Sequence, residues 1–198
     1  MAFLDFHPES STLRPSRNCV SKAFFFILCF SHLFLYASSP VSKEYQIKAA
    51  FLFNFAQFVE WPSTAFENAD TPICIGILGE DPFGSALDET VRGETVRKRK
   101  LIVLRAQRLE DLKNCHMIFI SKSEESHLQK ILEEIQSKSV LTVSETPDFA
   151  SRGGILNFYL DGNKVRFEIN PAVAQRKNLK LSSELLNLGK IVKSDNRQ

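Results

Sequence analysis

Ile73-Cys74-Ile75-Gly76-Ile77-Leu78-Gly79-Glu80-Asp81-Pro82 is the stretch that decides the fold. A short apolar run closed by Gly79 reads as a strand. Asp81 and Pro82 then open a helix through about Val91, because Asp suits an N-cap and Pro a first turn. Three further runs repeat the strand theme: Lys100 to Leu104, His116 to Ile120 and Val140 to Val143. Between them lie a short helical stretch, Leu109 to Lys113, and a longer one, Glu124 to Ser137. The longer one carries Leu128, Ile131, Leu132 and Ile135 on one face. Strands alternating with helices predict an α/β fold, a mostly parallel sheet flanked by helices on both faces.

The pattern then changes. Gly154 to Leu160 and Val165 to Ile169 flank Asp161-Gly162-Asn163, a turn signal that predicts a C-terminal antiparallel hairpin. Terminal helices follow near Pro171 to Arg176 and Ser183 to Val192.

Upstream, Arg14, Arg17 and Lys22 precede an apolar run from Ala23 to Tyr36, followed by Ala37, Ser38 and Ser39. That order is expected of a secretory signal peptide over residues 1–37, with a retained membrane anchor as the alternative. A single domain is then expected over 38–198, with 22 basic and 21 acidic residues. A net charge of +1 gives no argument for a nucleic-acid partner. Export also frames the cysteines, since only Cys74 and Cys115 lie beyond the leader. In a 2-1-3-4 strand order, Cys74 at the start of the first strand and Cys115 just before the third sit on neighbouring parallel strands about 5 Å apart. A disulfide fits that spacing; two buried free thiols are the alternative.

Lys43 to Trp61 reads as a helix closed by Pro62, with five aromatics between Phe51 and Trp61. On a helical wheel Ile47, Phe51, Phe55, Phe58 and Trp61 share a face that should pack on the sheet. Phe53 falls on the polar side, near Gln57 and Glu60. Phe53 is therefore assigned to a partner surface, with Gln57 and, at the edge of the sheet-facing arc, Trp61 as further candidates.

No catalytic constellation emerges. The carboxyl ends of the strands, where such sheets bind ligands, offer Glu80 and Asp81, Arg105, Ser121 and Lys122, then Ser144 and Glu145. The glycines there do not form a phosphate-binding fingerprint, and the acidic pair would repel a phosphate. His116 stands at the wrong end of its strand and His127 in a polar helix, so both read as structural or solvated. No cluster has metal-ligand spacing, so neither a metal nor a cofactor is expected. The basic run Arg92 to Lys100 is a solvated connector or a contact for an anionic partner.

From about Glu44 to Val192 the chain resembles the YfiR family of periplasmic proteins. The shared signatures are Lys48-Ala49-Ala50-Phe51-Leu52 through Phe58-Val59-Glu60-Trp61-Pro62, and Ile77-Leu78-Gly79-Glu80-Asp81-Pro82-Phe83-Gly84. Cys115-His116-Met117-Ile118-Phe119-Ile120-Ser121 and Val140-Leu141-Thr142-Val143 follow. Phe149-Ala150-Ser151-Arg152-Gly153-Gly154-Ile155, Val165-Arg166-Phe167-Glu168-Ile169-Asn170 and Leu185-Leu186-Asn187-Leu188 complete the series. The resemblance implies a non-catalytic periplasmic regulator that holds a membrane diguanylate cyclase of the YfiN type inactive and so keeps cyclic di-GMP low. It also implies an outer-membrane lipoprotein that sequesters the regulator, and leaves a homodimer open. Cys74 and Cys115 fall where such a family's cysteine pair is expected; a second pair near Phe149 to Phe158 has no counterpart here. The alternative is a small-ligand-binding periplasmic component serving a sensor kinase or a TonB-type uptake system.

Overall fold

The structure, a computed structural model, describes residues 42–193; the leader expected over 1–37 lies outside them. In chain order the elements begin with α1 (Lys43–Phe58), β1 (Val59–Glu60), β2 (Ile73–Leu78), α2 (Ser85–Val91), β3 (Thr95–Val96) and β4 (Arg99–Ala106). They continue with β5 (Met117–Ile120), α3 (Leu128–Glu134), β6 (Leu141–Ser144), β7 (Leu156–Asp161) and β8 (Lys164–Ile169). The chain closes with α4 (Pro171–Arg176), β9 (Lys180–Leu181), α5 (Ser183–Leu188) and β10 (Lys190–Ile191).

Eight strands form one sheet in the order β10-β8-β7-β6-β5-β2-β4-β3. The contiguous strands β4, β2, β5, β6 and β7 are parallel, β7 and β8 form the antiparallel hairpin, and β10 returns parallel to β8. This is the doubly wound order that the alternation of strands and helices predicts. Because side chains alternate along a strand, β2 feeds both faces. Ile73, Ile75 and Ile77 join residues of α1, α2, α4 and α5 in one core cluster. Cys74 and Leu78 join α3 and Leu112 in the other. Helices therefore cover both faces, as expected.

The first helix differs from its expected form in length and rotation. Ser42 caps it, its hydroxyl facing the Tyr45 N–H, but the helix stops at Phe58. Val59 is extended, and β1 pairs antiparallel with β9, so sheet pairing overrides the helical composition of the last residues. The buried positions are Lys48, Ala49, Leu52, Phe55 and Ala56. Ile47, expected in the core, is exposed, and Phe51 and Phe58 are half-buried. A wheel weighted by aromatics puts Ile47 inside; the structure instead turns Lys48 inward, where Glu44 and Glu145 pair with it. Phe55 stands at the centre of an aromatic cluster, its ring centroid 5.0 Å from Phe167, 5.6 Å from Phe158 and 5.9 Å from Phe51.

Two other boundaries move for local reasons. Asp81 accepts from the Phe83 N–H in a turn, and Gly84 takes φ +51°, so α2 begins only at Ser85. The stretch from Lys122 to His127 is a 3-10 turn before α3. The basic run Arg92 to Lys100 is no plain connector, since it contains the β3–β4 hairpin. Its turn residues Arg97 and Lys98 lie at φ +49° and +67°, a left-handed conformation that usually calls for Asn or Gly. Arg97 is held there by donating to the Val59 carbonyl at 2.7 Å and to the Glu60 carboxylate at 3.2 Å.

Candidate functional site

At the carboxyl ends of the strands, two of the groups singled out from the sequence, Asp81 and Arg105, bind each other. Arg105 donates from Nε to Asp81 at 2.6 Å, from Nη2 to the Gly84 carbonyl at 2.9 Å, and also pairs with Asp88. These carboxylates hold the guanidinium even further above its ordinary range, the Asp88 hydrogen bond most of all. Gly79 takes φ +87°, and a Cβ there would lie 2.4 Å from the Ser123 hydroxyl, which accepts the Glu80 N–H. The Gly79 loop is thus filled by a side chain from the segment after β5, where a phosphate cradle would need room. Beneath it, Ser144 donates to the Ile120 carbonyl at 2.7 Å, and Asn157 donates to the carbonyls of Ser144 and Thr146.

A second ion cluster sits between α1 and the end of β6. The ammonium of Lys48, almost wholly buried, bridges Glu44 and Glu145 and lies 4.6 Å from the Tyr45 ring centroid. Tyr45 donates its hydroxyl to Glu145 at 3.0 Å. Burial, and then Glu145, pushes that hydroxyl well above its ordinary pKa, so it remains a donor. Two acids and one buried base fix how α1 seats on the sheet. The sequence carried half of this signal in the i, i+4 spacing of Glu44 and Lys48, but nothing local pointed to Glu145.

The amino ends of the strands hold the other constellation. Cys74 and Cys115 form a disulfide with Cα atoms 4.6 Å apart, as their placement on neighbouring strands predicts. His116, read from sequence as structural or solvated, is buried beside it and organises its surroundings. Its backbone N–H donates to the Cys74 carbonyl at 2.9 Å, while its Nδ1 accepts the Cys74 N–H at 3.1 Å. Nδ1 must therefore be unprotonated, and Nε2 carries the hydrogen that reaches the Ala65 carbonyl at 3.1 Å. Burial pushes the imidazole below its ordinary pKa; the Ala65 hydrogen bond opposes this, and the charge of Arg99 adds to it. Phe66 stacks on the ring at 4.4 Å, and Arg99 stacks on the far face of Phe66 at 3.8 Å. Arg99 also donates to the carbonyls of Asn68 and Thr71, at 2.9 and 2.7 Å. The segment from Pro62 to Pro72 is thereby clamped across the disulfide end of the sheet.

Trp61 belongs to this clamp, since its indole donates to the His116 carbonyl at 2.9 Å and its ring meets the imidazole edge-on. Of the other residues assigned to a partner surface, Gln57 is exposed one turn beyond Phe53 on α1. Phe53 itself is half-buried and packs against the core, so the core does give it a reason to be aromatic. Phe53 and Gln57 are brought together, whereas Trp61 lies beyond the helix and points inward.

Next to the disulfide opens a cleft of about 440 Å³, whose lining includes Cys74, Cys115, Ile102, Leu104, Lys113 and Lys138. Among the described residues no group of His, Cys, Asp and Glu could hold a metal ion, and no helix is long and apolar enough to cross a membrane. No curated protein matches the sequence. Residues 45–190 match the family described as YfiR/HmsC-like. The chain belongs to that family.

Proposed function

From membership of the YfiR/HmsC-like family, we propose that this chain is a non-catalytic periplasmic regulator that binds an inner-membrane diguanylate cyclase and restrains it. The observation that carries the reading is the family match over residues 45–190, nearly all of the described structure. The geometry is compatible with binding as the mode of action. At the strand carboxyl ends Asp81, Arg105 and Glu145 are held in ion pairs, while the opposite end presents an open cleft and apolar side chains. Export through residues 1–37 is part of the proposal.

Regulation then follows from differential affinity. A protein that binds the inactive state of the cyclase more tightly than the active one shifts the equilibrium by that difference alone. Moving a two-state population from 1:99 to 99:1 takes about 5.5 kcal/mol of preference. An outer-membrane lipoprotein that sequesters the regulator would reverse the shift by mass action.

The test is genetic. Loss of the protein should raise cellular cyclic di-GMP, and re-expression should lower it only in cells that carry the cyclase. Unchanged cyclic di-GMP on loss and re-expression would overturn the reading.

A further inference from the structure

Among the described residues, strand β4 has a partly exposed face and an unpaired outer edge. One edge pairs with β2 along its length; the other pairs only with β3, through Thr95 with Lys100 and Val96 with Arg99. From Leu101 to Ala106 that outer edge has no ladder partner among the described residues. Lys100, Ile102 and Leu104 alternate onto the face away from α2. Ile102 and Leu104 are 40 % and 43 % exposed there, and both line the disulfide cleft. Natural edge strands usually hide such apolar pairs, because an open edge templates pairing.

The charges around this patch identify its occupant. Lys100, Lys113 and Lys138 are exposed and form no ion pair among the described residues, and Glu67 is the one acid lining the cleft. A second copy of the chain, meeting this patch through a two-fold axis, would set these lysines against themselves. An acidic segment meets no such repulsion. We propose that the outer edge of β4 receives an extended segment of the partner protein, apolar at alternate positions and flanked by Asp or Glu. Backbone bonds to Leu101–Ala106 supply register, Ile102 and Leu104 supply apolar contact, and the three lysines select for acid. The inference rests on the regulatory reading above and specifies which surface carries it.

The experiment uses the full chain in cells that carry the cyclase. Leu104→p-benzoylphenylalanine should, on irradiation, give an adduct with the periplasmic part of the cyclase, mapping to an extended acidic segment. The same substitution at Leu188, exposed next to β10, should give none. Leu104→Asp should weaken binding about 30-fold or more, as expected for a buried apolar anchor, and abolish the lowering of cyclic di-GMP. Leu188→Asp should leave that lowering intact, and both variants should melt within a few degrees of wild type. An adduct from 104 to a second copy of the chain, or a cyclase adduct from 188 alone, overturns the surface. So does full restraint by a folded Leu104→Asp, and the regulatory reading then stands. Failure of the wild-type chain itself to lower cyclic di-GMP overturns both.

Discussion

Removing the disulfide with Cys74→Ala and Cys115→Ala together should cost about 4 kcal/mol of unfolding free energy. The two cysteines are 41 residues apart. Cross-linking a loop of that size removes about 13 cal/mol/K of entropy from the unfolded chain, hence about 3.9 kcal/mol at 25 °C. Both sulfurs are buried, so their loss leaves small voids that add to the cost rather than offset it. For a domain of this size the change should lower the melting temperature by roughly 8–16 °C. The assay is urea denaturation of three samples: oxidised wild type, wild type in reductant, and the double variant. The two lacking the bond should both fall below the oxidised protein, the double variant somewhat further because of its voids. A loss under about 1.5 kcal/mol would refute the reasoning. It would mean that native contacts around His116, or residual structure in the unfolded chain, already hold β2 beside β5.

Other consequences follow from single side chains. Lys48→Met leaves Glu44 and Glu145 without their shared cation, and should cost about 3–5 kcal/mol in a chemical melt. Lys48→Met combined with Glu145→Leu should recover much of that loss. His116 is held neutral, with its pKa depressed on folding, so the unfolded chain takes up its proton first. Stability should be complete above about pH 6.5, the ordinary value for histidine, and should fall as pH drops below it. His116→Gln should flatten that part of the profile, as read from melts between pH 5 and 8. Gly154→Ala places a Cβ 2.1 Å from the fully buried ring of Phe149. It should destabilise by about 1–3 kcal/mol or more, visible as a lower melting temperature.

Periodicity was enough to read most of the sheet. Four apolar runs separated by amphipathic stretches leave few topologies, and the Asp161-Gly162-Asn163 turn marked the hairpin. What escaped was set by tertiary pairing. Val59 and Glu60 carry no strand signal of their own, and become β1 only because β9 lies opposite them. The Arg97–Lys98 turn breaks the usual turn chemistry, and the contacts of Arg97 with Val59 and Glu60 support it from outside the hairpin. The buried face of α1 was misjudged because aromatic residues were weighted over a lysine whose acid partner lies 97 positions away. At the disulfide end, the pairing of Cys74 with Cys115 was legible from strand placement. The role of His116 was not, since its partners come from the segment after Trp61 and from Cys74. The apolar pair Ile102 and Leu104 lies in a run that reads only as a strand, with nothing in it to show exposure. Only the strand order, which puts β4 near the edge, exposes it.

Restraint of a cyclase by this chain can be measured directly. The full-length diguanylate cyclase, reconstituted in lipid nanodiscs, should make cyclic di-GMP from GTP at a rate that falls as purified protein spanning residues 38–198 is added. The fall should saturate, and excess Leu104→Asp variant should not reproduce it. A rate unchanged at saturating concentrations of the folded, disulfide-bonded protein would contradict the account.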